Sequence, residues 1–174
     1  MQSSLMRTIP YIEARLPSHL GKKQNPKTIS LQLSGTTADR GAALGIANYW
    51  NGSSSQLSYS HYVVDEELMF QCVPDSRRLT ERGIVRINVC GEPVTDGSLW
   101  TGTQKFDVFH NVVGLVAKLC WKYGIPAREI GLEEHRKFLG RGGIMFDIRG
   151  AWPREYFFAA LQDQLELYKS EGGL

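Results

Sequence analysis

The sequence has few cysteines, little net charge and no long apolar run. Its 174 residues include three Cys, which are far apart and form no Cys-x-x-Cys pair. This spacing argues against a disulfide framework and favours three buried thiols. Lys and Arg number 20 against 18 for Asp and Glu, and a net charge of +2 gives no reason to expect a nucleic-acid partner. No apolar run approaches the ~18 residues that would indicate a transmembrane helix, so no membrane partner is expected.

The first residues also lack the pattern of a secretion signal. Glu13 and Arg15 interrupt the chain before any apolar stretch builds up, whereas a signal peptide needs a continuous apolar region. We therefore expect a protein that stays in the cytoplasm of the cell that makes it.

The hydrophobic pattern divides the chain into an arm, 1–28, and one domain, 29–174. The arm has no clear period and contains three prolines and two adjacent lysines. In the domain, alternation predicts a strand over 29–33, a hairpin from 57–64 and 68–73, and a strand over 84–90. Helical spacing predicts helices from Thr36 to about Trp50, from Phe106 to Tyr123, and from Pro153 through Tyr168. Strands mixed with helices predict an α/β fold, with a mixed central β-sheet flanked by helices.

Apolar residues on the predicted helices indicate which faces are buried. Ala42, Ile46 and Tyr49 fall on one face of the first helix. Trp50 and Trp121 are expected in the core. Trp100, in a Gly-rich segment, is the better candidate for a surface contact with a sugar.

Several segments together resemble the type-2 N-acetylmuramoyl-L-alanine amidase family, which includes phage endolysins and peptidoglycan recognition proteins. The resemblance rests on the order and spacing of six segments, at 29–36, 42–51, 58–65, 70–75, 85–92 and 135–147. It implies a single amidase-type α/β domain that hydrolyses an amide with the help of zinc. In such a site three protein ligands hold the metal and leave a position for water.

The resemblance also implies where the zinc ligands belong, and this sequence departs from the pattern there. Gln32 stands where the family has its first His, and Gly143 where it has Cys or Asp; His135 matches the second His. Arg141 replaces a Lys that accompanies the third ligand, and Asn88 replaces a Glu of the central strand. A neutral amide is a poor zinc ligand and Asn is no general base near neutral pH, so we predict a degenerate metal site, no zinc cofactor and no catalytic residue.

Three functions remain open from the sequence. The first is a binding module whose former substrate groove holds peptidoglycan or a muropeptide. Its candidate ligand-binding residues are Gln32, Ser60, His61, Asn88, Trp100, His135 and Arg141. The second is a virion or assembly component that contacts other virion proteins through the arm. The third is an active N-acetylmuramoyl-L-alanine amidase with an atypical zinc site made of His61, His135 and Cys90.

The endolysin-like helix at 42–51 also favours a phage or prophage origin. The protein is then expected in the cytoplasm of the bacterial host, and the virion is the alternative location.

Overall fold

The computed structural model describes residues 9–35, 41–53, 59–92, 103–137, 142–148 and 152–171. In chain order the elements are β1 (Thr28–Leu33), α1 (Ala42–Gly52), β2 (Tyr62–Val64), β3 (Met69–Gln71), β4 (Ile84–Val89), α2 (Thr103–Tyr123), α3 (Leu132–Lys137), β5 (Gly143–Asp147) and α4 (Arg154–Ser170). These strands form a sheet in the order β3-β2-β4-β1-β5. The β2–β3 pair is antiparallel and the other pairs are parallel. The predicted α/β fold with a mixed sheet is therefore confirmed. Among the described helices, none has the length and apolarity to cross a membrane.

One face of the sheet carries the main hydrophobic core. Ile29, Leu31 and Ile87 are completely buried there, because alternate residues of a strand point to the same face. The helices α2 and α4 cover this face. The rings of Phe109 in α2 and Phe157 in α4 meet edge to face, with centroids 6.2 Å apart, which locks the two helices together over the strands.

The helix α1 packs on the opposite face, over β2 and β3. Its buried residues are Ala43, Ala47 and Trp50, whereas Tyr49 is 59% exposed. Ala42 and Ile46 are half-buried and pack against the same cluster, so the predicted inward face is wrong for Tyr49. Gly41 precedes α1 with φ of 89°, a left-handed conformation that an α-helix does not contain. The predicted helix from Thr36 therefore does not continue into α1 without a break at Gly41. Residues 36–40 lie outside the described part.

A buried carboxylate caps α1 from another part of the chain. Gly41 provides no side-chain cap, but Oδ2 of Asp65, at the end of β2, accepts hydrogen bonds from the N–H groups of Gly41 and Ala43, both 3.0 Å long. Its Oδ1 accepts from the N–H groups of Glu67 and Leu68, at 2.9 and 2.7 Å. Asp65 thereby ties the turn between β2 and β3 to the amino end of α1.

The described part of the arm lies against the domain. The N–H groups of Ile12 and Ala14 donate to the carbonyl oxygens of Gln71 and Cys72, both at 2.9 Å. Ala14 is buried, and Ile12 and other apolar residues of this segment pack against the cluster under α1. Residues 9–27 therefore find partners within the chain, and β1 begins at Thr28.

The three cysteines are buried, as predicted. Burial raises the pKa of the Cys72 and Cys120 thiols to about 12. Since the thiolate is the reactive form, we expect none of the three to react with a water-soluble aromatic disulfide in the native protein at pH 8. All three are expected to react after unfolding in urea. One thiol that reacts rapidly in the native protein contradicts this placement.

Candidate functional site

Three polar side chains lie in one row at the carboxyl ends of the parallel strands β4, β1 and β5. Gln32 pairs with Asn88 on one side and with Asp147 on the other. Paired residues of neighbouring strands point to the same face. This face lies opposite the main core, because the preceding residues Leu31 and Ile87 point into that core. With strands ~4.8 Å apart, the row spans about 10 Å.

The row lies on the half of this face that α1 leaves uncovered, since α1 contacts β2 and β3. Gln32 and Asn88 are half-buried and Asp147 is exposed. In open α/β sheets, ligands bind in the crevice outside the carboxyl ends of the strands. We call the space above Asn88, Gln32 and Asp147 the groove, and take it as the candidate binding site.

One buried polar atom of the groove has no hydrogen-bond partner among the described residues. The Oδ1 atom of Asn88 is buried and accepts no hydrogen bond within the part of the chain that the structure describes. A buried acceptor left in this way costs about 1–3 kcal/mol. Beside it stands Gln32, and each of these two carboxamides offers two N–H donors and one acceptor oxygen. Such a pair is suited to the N–H and C=O groups of a peptide.

His135 and Gly143 do not lie at this row. The Nδ1 atom of His135 is 3.3 Å from Oγ1 of Thr28, the first residue of β1, and Gly143 pairs with Thr28 as well. Thr28 and Gln32 are separated by ~13 Å along the strand. The expectation that Gln32, His135 and Gly143 share one degenerate metal site is therefore wrong for the last two. The physical reason is that β5 starts at Gly143, so it is the end of this strand, at Asp147, that reaches Gln32.

The glycines at the start of β5 also leave no room for a metal-ligating side chain. A Cβ on Gly142 would lie 1.8 Å from the carbonyl oxygen of Lys27, and one on Gly143 would lie 2.8 Å from that of Arg128. The chain requires glycine here because two backbone segments approach closely. A ligating side chain at residue 143 does not fit unless the backbone moves.

His61 serves the fold. Its ring is completely buried; Nε2 lies 2.8 Å from the carbonyl oxygen of Arg77, to which it donates, and Nδ1 accepts from the N–H of Arg86 at 3.0 Å. Burial lowers the pKa of this imidazole to about 4, which keeps the ring neutral. Because both nitrogens already bond to the backbone, the zinc set of His61, His135 and Cys90 is not assembled.

The remaining predicted residues do not join the row either. Ser60 is buried just ahead of β2, beside His61 and away from the carboxyl ends of the strands. Trp100 and Arg141 lie outside the described residues. The structure adds Asp147, which sequence reasoning missed. The short apolar run of Ile144, Met145 and Phe146 after two glycines was the signal for its strand.

The residues of the groove do not fit zinc. The sequence has four His. Besides His61 and His135, His110 lies exposed on α2, which packs on the other face, and His19 lies in a turn of the N-terminal segment. Zinc takes Cys, His, Asp or Glu ligands, and of the row Asp147 alone is of this kind. Within the described residues, no three such side chains form a group that could hold a metal ion.

Comparisons with known proteins give similarity at the level of the fold. No protein-family model matches the sequence, and no curated protein is significantly similar to it. Among solved structures, the catalytic domain of XlyA matches with a TM-score of 0.60 and 16% identity, over 89% of this chain and 99% of that one. PlyL matches with a TM-score of 0.59 and 17% identity, over 89% and 97% of the two chains.

An amidase is among the matching structures as well. The N-acetylmuramoyl-L-alanine amidase LysC from Clostridium intestinale URNW matches with a TM-score of 0.56 and 14% identity, over 90% of this chain and 99% of that one. The resemblance found in the sequence is thus confirmed by structures that cover nearly the whole chain. The chain has the fold of the N-acetylmuramoyl-L-alanine amidase catalytic domains.

Proposed function

We propose that this protein binds peptidoglycan through the stem peptide, in the groove above Asn88, Gln32 and Asp147, and does not hydrolyse it. The fold supports peptidoglycan as the ligand, because LysC, whose fold it shares, is an N-acetylmuramoyl-L-alanine amidase. The groove occupies the carboxyl ends of the parallel strands, where ligands of open α/β sheets bind.

The observation that carries the proposal is the buried Oδ1 of Asn88, which has no hydrogen-bond partner among the described residues. A peptide N–H that donates to this atom satisfies an acceptor that these residues leave open. Gln32 on the next strand supplies a second carboxamide about 5 Å away. Peptide groups carry alternating donors and acceptors, so two adjacent carboxamides complement a peptide better than they complement the hydroxyl groups of the glycan.

The same chemistry supports binding without cleavage. Hydrolysis of an amide needs an activated water and a group that takes its proton. A carboxamide does neither, since it has no proton equilibrium near neutral pH and is a weak ligand for zinc. Asp147 is the one carboxylate of the row, and with two carboxamides as its neighbours it does not complete a set of zinc ligands.

The test is co-sedimentation of the purified protein with purified peptidoglycan. Asn88→Ala and Gln32→Ala are each expected to weaken binding about tenfold, the loss of one to two hydrogen bonds. Gln162→Ala is the matched control, because it removes a carboxamide that is exposed on α4, on the other side of the sheet. Thermal unfolding of each variant checks that it is folded.

Two results contradict the proposal. One is a parent protein that does not sediment with peptidoglycan, which leaves the assembly role as the better hypothesis. The other is equal binding by the groove variants and the Gln162→Ala control.

A further inference from the structure

A cavity lies at the opposite end of the strands from the groove. Its volume is about 370 Å³, and it is lined by Asn25, Lys27, Thr28, Arg82, Gly83 and His135. This volume falls within the ~300–1,000 Å³ that is usual for small-molecule sites. Thr28 and Gln32 stand ~13 Å apart along β1, so this cavity and the groove are separate places on the protein.

Among the described residues, the lining of this cavity carries two cationic side chains and no carboxylate. Lys27 and Arg82 are both exposed, and neither forms an ion pair within the described residues. The neighbouring carboxylates are engaged elsewhere: Glu134 binds Arg128 at 2.6 Å, and Glu81 lies 3.9 Å from Arg86. The two positive charges of the lining are therefore left without a counter-charge from these neighbours.

The other lining groups add hydrogen-bond donors. The Nδ1 atom of His135 is held by Oγ1 of Thr28 at 3.3 Å, which leaves the second ring nitrogen, Nε2, for a ligand. Asn25 contributes an amide N–H₂ group and Arg82 a guanidinium with five N–H donors. Donors of this number around two cations match a tetrahedral anion with several acceptor oxygens better than a planar carboxylate with two.

We propose that this cavity binds a phosphate group, either as the free anion or as the phosphomonoester of a small ligand. The phosphate lies between Lys27 and Arg82, with His135 as a third contact. Phosphate fills a small part of 370 Å³, which leaves room for an organic portion of the ligand. The proposal stands apart from peptidoglycan binding, because it uses none of the residues of the groove.

The experiment is calorimetric titration of the full chain with inorganic phosphate, glycerol 3-phosphate and acetate at constant ionic strength. Both phosphates are expected to bind saturably, and acetate at least about tenfold more weakly. Tighter binding of glycerol 3-phosphate identifies a phosphomonoester as the ligand, and equal binding identifies the free anion.

Variants locate the site. Arg82→Ala and Lys27→Ala are each expected to weaken phosphate binding about tenfold. The backbone bonds of Lys27 to Gly83 and Gly143 persist in the alanine variant, so the fold is retained, which a thermal melt checks. Lys118→Ala is the control: it removes the same charge from an exposed position of α2, on the other face of the sheet.

Three outcomes overturn the proposal. The first is the absence of saturable binding of either phosphate. The second is acetate binding as tight as that of phosphate. The third is an equal loss of phosphate binding in Lys118→Ala and Arg82→Ala, which would mean that only the net charge of the protein matters.

Discussion

Replacement of Asp65 by alanine is expected to lower the free energy of unfolding by at least about 3 kcal/mol. Its completely buried carboxylate accepts four backbone hydrogen bonds, two from the start of α1 and two from the turn after β2. Hydrogen bonds to a charged group contribute about 1.5–3 kcal/mol each, and the four N–H groups lose their acceptor together. Since domains are stable by only about 5–15 kcal/mol, this one substitution removes a large share of the total. Urea unfolding at neutral pH measures it.

Two further variants define the cause of that loss. Asp65→Asn keeps one acceptor oxygen and is expected to lose less than Asp65→Ala. Asp163→Ala removes an exposed carboxylate from α4 and is expected to change the stability by less than about 0.5 kcal/mol. Similar stabilities for Asp65→Ala and Asp163→Ala would mean that Asp65 does not cap α1.

Acidification from pH 8 to pH 5 is expected to remove about 2 kcal/mol of stability through His61 alone. Burial lowers the pKa of His61 in the folded protein to about 4, against 6.5 for an ordinary imidazole. Between these two pH values the His61 imidazole is protonated in the unfolded chain and neutral in the folded protein. The contribution is therefore complete above pH 6.5 and is lost progressively as the pH falls towards 4. The carbonyl of Arg77 and the nearby Asp75 favour the proton, but desolvation outweighs them.

The measurement has two parts. Nuclear magnetic resonance of the folded protein is expected to show the His61 ring unprotonated down to pH 5. Urea unfolding at several pH values is expected to show a smaller pH slope for His61→Gln than for the parent. His110→Gln, which replaces an exposed imidazole on α2, serves as the control for the substitution itself. An imidazole of His61 that titrates near 6.5 in the folded protein contradicts this account.

The main elements of the fold can be predicted from the sequence because their patterns are local. The alternation over 29–33 and the helical spacing before Tyr123 correspond to β1 and α2. Exposure at the edge of the core is less predictable. Trp121 is predicted in the core but is 42% exposed. One face of its ring stacks on Tyr168 of α4, with centroids 6.1 Å apart.

The candidate site was only partly predictable, since it depends on register between distant segments. Gln32 and Asn88 were placed correctly together because both strands have clear patterns. Asp147 was missed because β5 is short and follows a Gly/Arg-rich stretch that resembles a metal motif. The resemblance to the amidase family assigned His135 to the same pocket as Gln32, whereas the pairing of β5 with β1 puts His135 at the other end of the strand. Sequence spacing alone does not determine which end of a strand a loop reaches.

The most direct test of the central claim, binding without hydrolysis, measures both activities in the same tube. The purified protein is incubated with purified peptidoglycan, with and without added zinc, and both the sedimented protein and the amino groups newly released from the wall are quantified. Because the groove offers carboxamides where zinc and a base are needed, we expect the protein to sediment with the wall and release no amino groups under either condition. Release of stem peptides that depends on zinc and scales with the amount of protein would contradict the account.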